Sequence, residues 1–283
     1  MKLPITITTS ESDRKLLKRF DVHEYNLMMT PADINDMNGS IAFIKSLNAR
    51  CVSIHSPFIN KTAMNFEDYI VEPELYLKVV EYAKRVALVM HTQLPLVFHT
   101  NLTYNTKKFI PFFADKMRPM FASSLIICLE NTTDVPLAGE SLKNDYRAIP
   151  DIVGTFKVCL PDVSIGTCLD VCHATILCRY IAERKAIGSY DASLRTFSDY
   201  SRAHGSDCRL IHLANTVAHG LNRSYHGQAF DPNKRSDVKA LSTIMNNIST
   251  FNKNATVVLE VSDENYNDRP NVAITLECLK RYF

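Results

Sequence analysis

The sequence predicts a single (βα)₈ barrel, and three observations support that prediction. The first is length, because 283 residues are many for an ordinary domain but usual for one α/β barrel. The second is the alternation of short apolar runs with helical patterns, with no Pro-, Gly- or Ser-rich linker to divide residues 1–283 into domains. The third is a His, Glu or Asp at the end of six of those runs.

The apolar runs are nearly continuous, as expected of parallel strands that are buried on both faces. The eight predicted strands are Ile5–Thr8, Glu24–Met29, Arg50–His55, Leu94–Thr100, Ser124–Glu130, Val163–Asp170, Arg209–Ala214 and Thr256–Val261. Helices are predicted between them, among them Glu74–Met90 with a stripe of Leu75, Val79, Tyr82 and Val86, and Asp237–Phe251 with a stripe of Val238, Leu241, Ile244 and Ile248. A doubly wound open sheet is the structural alternative, but no glycine-rich phosphate turn follows the first strand.

Composition narrows the class of protein. Hydrophobic residues make up 46% of the chain and charged residues 22%, which is enough for a large core. A net charge of +2 neither requires nor excludes a nucleic-acid partner, although backbone-binding proteins are often strongly basic. The eight cysteines lie mostly in apolar runs and form no paired CxxC pattern, so we expect a reduced, cytoplasmic protein. Neither a membrane span nor a signal peptide is expected.

Six polar residues stand at or just past the ends of consecutive predicted strands: His55, His99, Glu130, Asp170, His212 and Glu260. In a barrel this recurrence brings all six to one mouth, where barrel enzymes keep their active sites. Converging carboxylates repel one another and are costly to bury unpaired, and a bound cation is the simplest remedy. Imidazoles beside carboxylates suit Zn²⁺ or Mn²⁺ better than Ca²⁺ or Mg²⁺. The sequence therefore predicts a divalent-metal site.

Two local patterns extend this site. His173 follows the strand-end Asp170 by three residues, at the start of a predicted helix. The segment 212–227 reads as a long loop that carries further His and Arg residues, and long loops on a barrel collect binding residues. In that segment His219 is either a ligand or a residue that packs the loop. His91 and His204, near predicted helix ends, are interpreted as solvated or dipole-related rather than catalytic.

Four stretches carry a resemblance to a known family: His55-Ser-Pro-Phe-Ile-Asn60, Phe98-His99, Leu129-Glu130-Asn131-Thr132 and Cys168-Leu-Asp-Val-Cys-His-Ala174. They resemble the endonuclease IV family of the xylose-isomerase-like TIM barrels, and the resemblance runs from His55 to Glu260. That family cleaves the DNA backbone at abasic sites with three clustered zinc ions. The resemblance implies one ion on His55, His99 and Glu130. It implies a second ion on Glu130, Asp170, His212 and Glu260, and a third with His173 and His226 among its ligands. By the same resemblance Glu130, Glu260 and His173 are expected to be catalytic.

The sequence departs from the family's pattern at three places. The Asp that lies two residues before the family's last His is Ser224 here, so the third site lacks a carboxylate. The family's His-Pro-Gly turn is His99-Thr100-Asn101, and its Tyr three residues after the first His is Phe58. We therefore expect two tightly bound ions, zinc first and manganese second, with a third ion weak or absent. Either His219 or His226 can supply the loop ligand.

Two enzyme hypotheses follow. The first is a metal-dependent phosphodiesterase that acts on DNA with abasic sites, with Arg223, Asn101 and Phe58 contacting substrate and Lys61 a further candidate for phosphate contact. The second is a sugar isomerase or epimerase that acts on a small sugar with one ion held by Glu130, Asp170, His212 and Glu260. His55 and His99 favour the first, because a single-ion site is complete without them. A barrel with no catalytic role is a third possibility, and the sequence does not predict an oligomeric state.

Overall fold

The structure is a computed structural model that describes residues 3–59, 62–100, 124–132, 145–186, 194–218, 224–263 and 268–282. Its strands are β1 (Ile5–Ile7), β2 (Glu24–Met28), β3 (Arg50–His55), β4 (Phe58–Ile59), β5 (Thr62–Ala63), β6 (Leu94–Phe98), β7 (Leu125–Glu130), β8 (Ile165–Asp170), β9 (Cys208–Leu213), β10 (Asn215–Ala218), β11 (Ser224–Gln228) and β12 (Thr256–Leu259). Its α-helices are α1 (Glu11–Phe20), α2 (Pro31–Asn35), α3 (Met37–Ser46), α4 (Pro73–Met90), α5 (Ala148–Cys159), α6 (Val171–Ala186), α7 (Phe197–His204), α8 (Arg235–Phe251) and α9 (Pro270–Leu279).

Eight of these strands close a barrel in the order β1-β2-β3-β6-β7-β8-β9-β12, with β12 pairing back to β1. Neighbouring barrel strands are parallel all the way round. The predicted (βα)₈ barrel is therefore confirmed. Each predicted strand overlaps one barrel strand, and Arg50–His55 matches β3 residue for residue.

The alternation of side chains along each strand explains why the polar residues point into the barrel. Five buried side chains from five strands form a small apolar cluster apart from the main core: Val97, Cys128, Cys168, Leu210 and Val258. Each lies two positions before one of the strand-end residues His99, Glu130, Asp170, His212 and Glu260. Because residues two apart share a face of a strand, the cluster and the polar residues form successive layers inside the barrel.

The helices cover the barrel with their apolar faces. On α4 the predicted stripe residues Val79, Tyr82 and Val86 are fully buried and Leu75 is half-buried. On α8 Leu241, Ile244 and Ile248 are buried and Val238 is half-buried, so both predicted stripes face the core. Within the described ranges we find no helix that is long and apolar enough to cross a membrane.

Two sequence-based expectations were wrong. The segment 212–227 is not a plain loop, because β10 and β11 pair as an antiparallel hairpin within it. His204 is not solvated, since it is 2% exposed and its Nδ1 lies 2.8 Å from Thr167 Oγ1. A helix-end position suggested solvent, but α7 packs its last turn against β8 and buries the ring there. His91, by contrast, is exposed at the end of α4, as expected.

Candidate metal centre

Six of the predicted ligands lie at the ends of barrel strands, at one mouth of the barrel. His55, Glu130 and Asp170 are the last residues of β3, β7 and β8, and His212 lies one residue before the end of β9. His99 and Glu260 directly follow β6 and β12. The first turn of α6 adds His173, and the hairpin strand β11 adds His226. The structure thus brings all eight predicted ligands together in one continuous cluster.

Glu130 lies at the centre of the cluster and is 1% exposed. Its Oε2 lies 3.5 Å from His55 Nε2 and 3.1 Å from His212 Nδ1. Its Oε1 lies 3.6 Å from His99 Nε2 and 3.4 Å from His173 Nδ1. Each carboxylate oxygen therefore faces two imidazoles, so either oxygen can share a cation with them.

Backbone carbonyls orient two of the imidazoles. His55 Nδ1 lies 2.7 Å from the carbonyl oxygen of Ser56, and His173 Nδ1 lies 2.7 Å from that of Asn131. A carbonyl only accepts hydrogen bonds, so each Nδ1 carries the proton and donates it. In the neutral form of each ring Nε2 then carries the lone pair, and a hydrogen bond of this kind is what usually fixes the tautomer of a metal-binding histidine.

Asn131 also positions Asp170, a role that sequence reasoning did not give it. The Asn131 side chain accepts a hydrogen bond from the Asp170 N–H at 2.8 Å and donates to the Asp170 carbonyl at 3.0 Å. Asp170 in turn accepts a hydrogen bond from the His173 N–H at 2.6 Å. The available signal was its place directly after a strand-end glutamate, on the strand next to Asp170.

Among the candidate ligand sets in the described residues are two groups that share Glu130 and differ in their other members, while a further set of His55, His212 and Glu260 spans both. The atoms within each group lie within 4.8 Å of one another. The two groups are His55, His99 and Glu130, and Glu130, Asp170, His212 and Glu260. Both are the sets that the resemblance implied.

Unpartnered buried atoms show that these residues fit a cation. His212 Nδ1 lies 2.8 Å from Glu260 Oε2, yet neither ring nitrogen of His212 makes a well-formed hydrogen bond within the described residues, and neither does Glu130 Oε2. Two atoms that each lie about 2.1 Å from one tetrahedral zinc ion are about 3.4 Å apart. The contacts of Glu130 to His55 and His99, at 3.5 and 3.6 Å, are close to that spacing.

The electrostatics of the cluster are those of a carboxylate site that needs positive charge. Burial opposes ionisation of Glu130, but His212 and His99 outweigh it and hold the Glu130 pKa well below its usual value. Burial likewise opposes the charged form of His173, but Asp170 and Glu130 raise the His173 pKa to about 9. Without a metal, protonated imidazoles therefore supply the positive charge that a cation would otherwise provide.

The third predicted site is built around His226. Its Nε2 lies 3.6 Å from Asp170 Oδ2, and its ring centroid lies 4.7 Å from that of His173. The His226 side chain is 39% exposed, so this side of the cluster is open to solvent. Asn101, His219, Arg223 and Lys61 lie outside the described residues, as does the side chain of Ser224.

Phe58 forms part of the rim of the mouth. It lies in the β4–β5 hairpin and stacks on the His55 ring, with centroids 5.7 Å apart and the planes 13° from parallel. It also meets the His99 ring edge-on at 6.2 Å, and it is 44% exposed. An exposed aromatic face therefore lies directly over the first ligand group.

Comparisons with known proteins bear on the fold. No protein-family profile matches the sequence, and no protein of curated function matches it. Among solved structures, the chain is similar to 3-keto-D-glucoside 4-epimerase from E. coli, with a TM-score of 0.59, 11% identity and coverage of 99% of this chain and 98% of the other. It is similar to the IolI protein with a bound zinc atom, with a TM-score of 0.58, 14% identity and coverage of 100% and 99%. It is also similar to an AP endonuclease of family 2 from Brucella melitensis, with a TM-score of 0.53, 14% identity and coverage of 100% and 99%. These likenesses show that the chain shares the (βα)₈ barrel fold of these proteins.

Proposed function

We propose that this protein is a metal-dependent phosphodiesterase of the endonuclease IV type that cleaves the DNA backbone at abasic sites. The observation that carries the proposal is the position of Glu130 between two ligand groups. A single-ion enzyme needs only Glu130, Asp170, His212 and Glu260. Two further buried or nearly buried histidines, His55 and His99, have their Nε2 atoms 3.5 and 3.6 Å from the same carboxylate, where they can help to hold a second ion.

A pair of ions at these groups would supply charge stabilisation on a phosphate and a water nucleophile at neutral pH. The residues themselves set the geometry for that chemistry. Glu130 would join the two ligand groups, because its carboxylate lies within 3.6 Å of His55 and His99 of one group and of His212 of the other. Asn131 fixes the backbone of Asp170 and thereby its carboxylate.

Glu260 is suited to accept a proton. Its side chain is 15% exposed, more than Glu130 or Asp170, so it lies where solvent and substrate can reach the cluster. Burial raises its pKa, but His212 outweighs this and keeps the carboxyl ionised. An ionised, reachable carboxylate can take the proton from an attacking water. His173 keeps its Nε2 free of the Asn131 contact, so that atom can bind an ion or a phosphate oxygen.

Phe58 would contact the DNA next to the missing base. Exposed aromatic rings at a binding mouth stack on bases or sugar faces, and they do so without sequence preference. An abasic nucleotide has no base to unstack, so its backbone can enter a deep mouth at low cost. Arg223 and Asn101 remain candidates for contacts to substrate.

Incubation with a synthetic duplex that carries one abasic site tests the proposal. We expect incision at that site with Zn²⁺ or Mn²⁺, no incision of the undamaged duplex, and a drop of at least about 10²-fold in Glu260→Gln. The variant His91→Ala, with an exposed histidine outside the cluster, is the matched control and should incise normally. Intact abasic duplex under every divalent-metal condition, with metal-loaded protein, would refute the proposal.

A sugar isomerase or epimerase is the second candidate, because Glu130, Asp170, His212 and Glu260 alone form a complete single-ion site. Glu130 and Glu260 would then transfer protons across a hydroxy-ketone. The similarity to 3-keto-D-glucoside 4-epimerase and to D-psicose 3-epimerase supports testing keto-sugars. The variant His55→Ala separates the two candidates, since it should abolish incision but leave sugar turnover intact. One metal ion per chain, unchanged by His55→Ala, would also favour the sugar enzyme.

A further inference from the structure

Two neighbouring strands of the barrel bring no strand-end ligand to the metal cluster. The six strand-end ligands belong to β3, β6, β7, β8, β9 and β12, so β1 and β2 form a sector of the mouth between Glu260 and His55. The register of β2 and β3 places Met28 opposite His55. The register of β1 and β12 brings Thr6 level with Glu260. A substrate held at the metal cluster therefore has this sector beside it.

Thr6 and Met28 point into the barrel and remain accessible there. Their neighbours along the chain, Ile7 and Leu27, are buried in the main core between the strands and the helices. Because successive side chains of a strand point to opposite faces, Thr6 and Met28 face the interior of the barrel. Both are half-buried rather than buried, so the mouth leaves room beside them for part of a ligand.

A buried chain of hydrogen bonds holds the Thr6 hydroxyl. The Ser53 hydroxyl donates to the side-chain oxygen of Asn26 at 2.7 Å, and the Asn26 amide donates to Thr6 Oγ1 at 3.2 Å. Asn26 and Ser53 are fully buried. Since Thr6 Oγ1 accepts this bond, its own O–H is left to donate to a ligand. Thr8, the next inward-facing residue along the chain, differs because its hydroxyl donates to Asp13 at 2.7 Å.

The chemistry of this sector suits an uncharged sugar ring. Met28 offers an apolar, polarisable surface to C–H groups, and Thr6 offers one hydroxyl donor. A sugar ring combines C–H faces with hydroxyl oxygens. We propose that Thr6 and Met28 form a subsite for such a ring beside the metal cluster, with Thr6 donating a hydrogen bond to a ring hydroxyl. This inference rests on the proposed function, under which the ring is the deoxyribose of the abasic nucleotide.

A matched pair of DNA duplexes tests the subsite. One carries a natural abasic deoxyribose, whose only free hydroxyl is at C1, and the other carries a tetrahydrofuran ring without that hydroxyl. We expect Thr6→Val to lower kcat/KM for incision of the first duplex about tenfold, as for one lost hydrogen bond, and to leave the second unchanged. Thr6→Ser keeps the hydroxyl and should retain wild-type discrimination. Thr250→Val, at an exposed position on α8, is the matched control and should incise both duplexes normally.

Free D-fructose separates a failure of the subsite from a failure of the proposed function. Saturation-transfer NMR measures its binding to the metal-loaded full chain without any DNA. If neither duplex is incised but D-fructose binds wild type and not Thr6→Val, the subsite stands and the proposed function falls. Incision that Thr6→Val leaves unchanged, or lowers equally on both duplexes, would overturn the subsite and leave the proposed function intact. Wild-type protein that neither incises DNA nor binds D-fructose would overturn both.

Discussion

At the scale of single residues, we expect Glu130 to determine how many ions the mouth can hold. Its two oxygens face two imidazoles each, and it belongs to both of the ligand groups that the resemblance implied. Removing its charge should therefore affect both groups at once. Removing an imidazole from one group should affect that group alone.

The variants Glu130→Gln and His55→Ala test this difference. We expect Glu130→Gln to lose both ions, because an amide is a poor bridging ligand, whereas His55→Ala should lose about one ion per chain. Metal content measured after dialysis against metal-free buffer gives the result. His23→Ala, with an exposed side chain outside the cluster, should retain full metal content. Equal metal loss in Glu130→Gln and His55→Ala would contradict the bridging role.

Most of these metal-site residues could be predicted from the sequence, but one could not. His55, His99, Glu130, Asp170 and Glu260 could be predicted because each ends an apolar run, and parallel strands in a barrel end at one mouth. Asn131 was not predicted, because its role depends on a hydrogen bond to Asp170 on the neighbouring strand. Such contacts follow from strand pairing and not from the order of residues along the chain.

At the scale of elements, the β10–β11 hairpin carries His226 to the cluster, and Gly227 fixes where the hairpin lies. Gly227 has a φ of +72°, and a Cβ placed there would lie 2.4 Å from Ser262 Oγ and 3.1 Å from the Ser262 backbone nitrogen. Its carbonyl accepts a hydrogen bond from the Ser262 N–H at 2.8 Å. Since Ser262 lies two residues after Glu260, Gly227 joins the hairpin to the loop that follows β12.

Gly227→Ala should displace the hairpin and weaken metal binding at His226. We expect a loss of about 1–3 kcal/mol in the free energy of unfolding, because the position combines a positive φ with a clash against the Ser262 side chain. Gly154→Ala is the matched control, since Gly154 is exposed on α5 and a Cβ there meets nothing within 4 Å. It should stabilise the protein by up to about 1 kcal/mol. Denaturant unfolding with both variants provides the measurement, and equal effects of the two would contradict the argument.

The packing of α7 against β8 depends on a neutral histidine. Burial lowers the pKa of His204 to about 3, whereas an unfolded histidine titrates near 6.5. Between those values the unfolded state binds the extra proton, so this contribution to stability is complete above about pH 6.5 and declines as the pH falls.

Replacement of His204 by Gln should remove that pH dependence. Gln cannot be protonated in this range, and its amide can replace the contact with Thr167. Wild type should lose up to about 1.4 kcal/mol more per pH unit than His204→Gln below pH 6. Denaturant unfolding at pH 7 and pH 5 provides the comparison. Parallel losses in the two proteins would show that folding does not lower the pKa of His204.

At the scale of the whole molecule, the barrel closes where β1 meets β12, and a buried ion pair supports that closure. Arg269, at the start of α9, donates to Asp13 on α1 at 2.8 Å across 256 positions of sequence. Asp13 also accepts hydrogen bonds from the Thr8 backbone and hydroxyl. The barrel itself could be predicted from alternating runs, but this pairing could not, because nothing local in either segment indicates the other.

Metal removal should destabilise the whole barrel, and the effect should depend on pH. In the metal-free protein His173 has its pKa raised to about 9, so its contribution to stability is complete below about pH 6.5 and is lost as the pH rises through 9. Metal binding displaces protons and therefore strengthens over the same range. Thermal unfolding with and without a chelator should show a larger difference at pH 8.5 than at pH 6.5. With the free metal ion at about 100 times its Kd, each occupied site adds about 2.7 kcal/mol to the free energy of unfolding. The Tm measured with and without chelator at pH 8.5 should therefore differ by several degrees. The Tm of Glu130→Gln should hardly change when the chelator is added. If the wild-type Tm is also unchanged by the chelator at both pH values, the bound ions have no structural role.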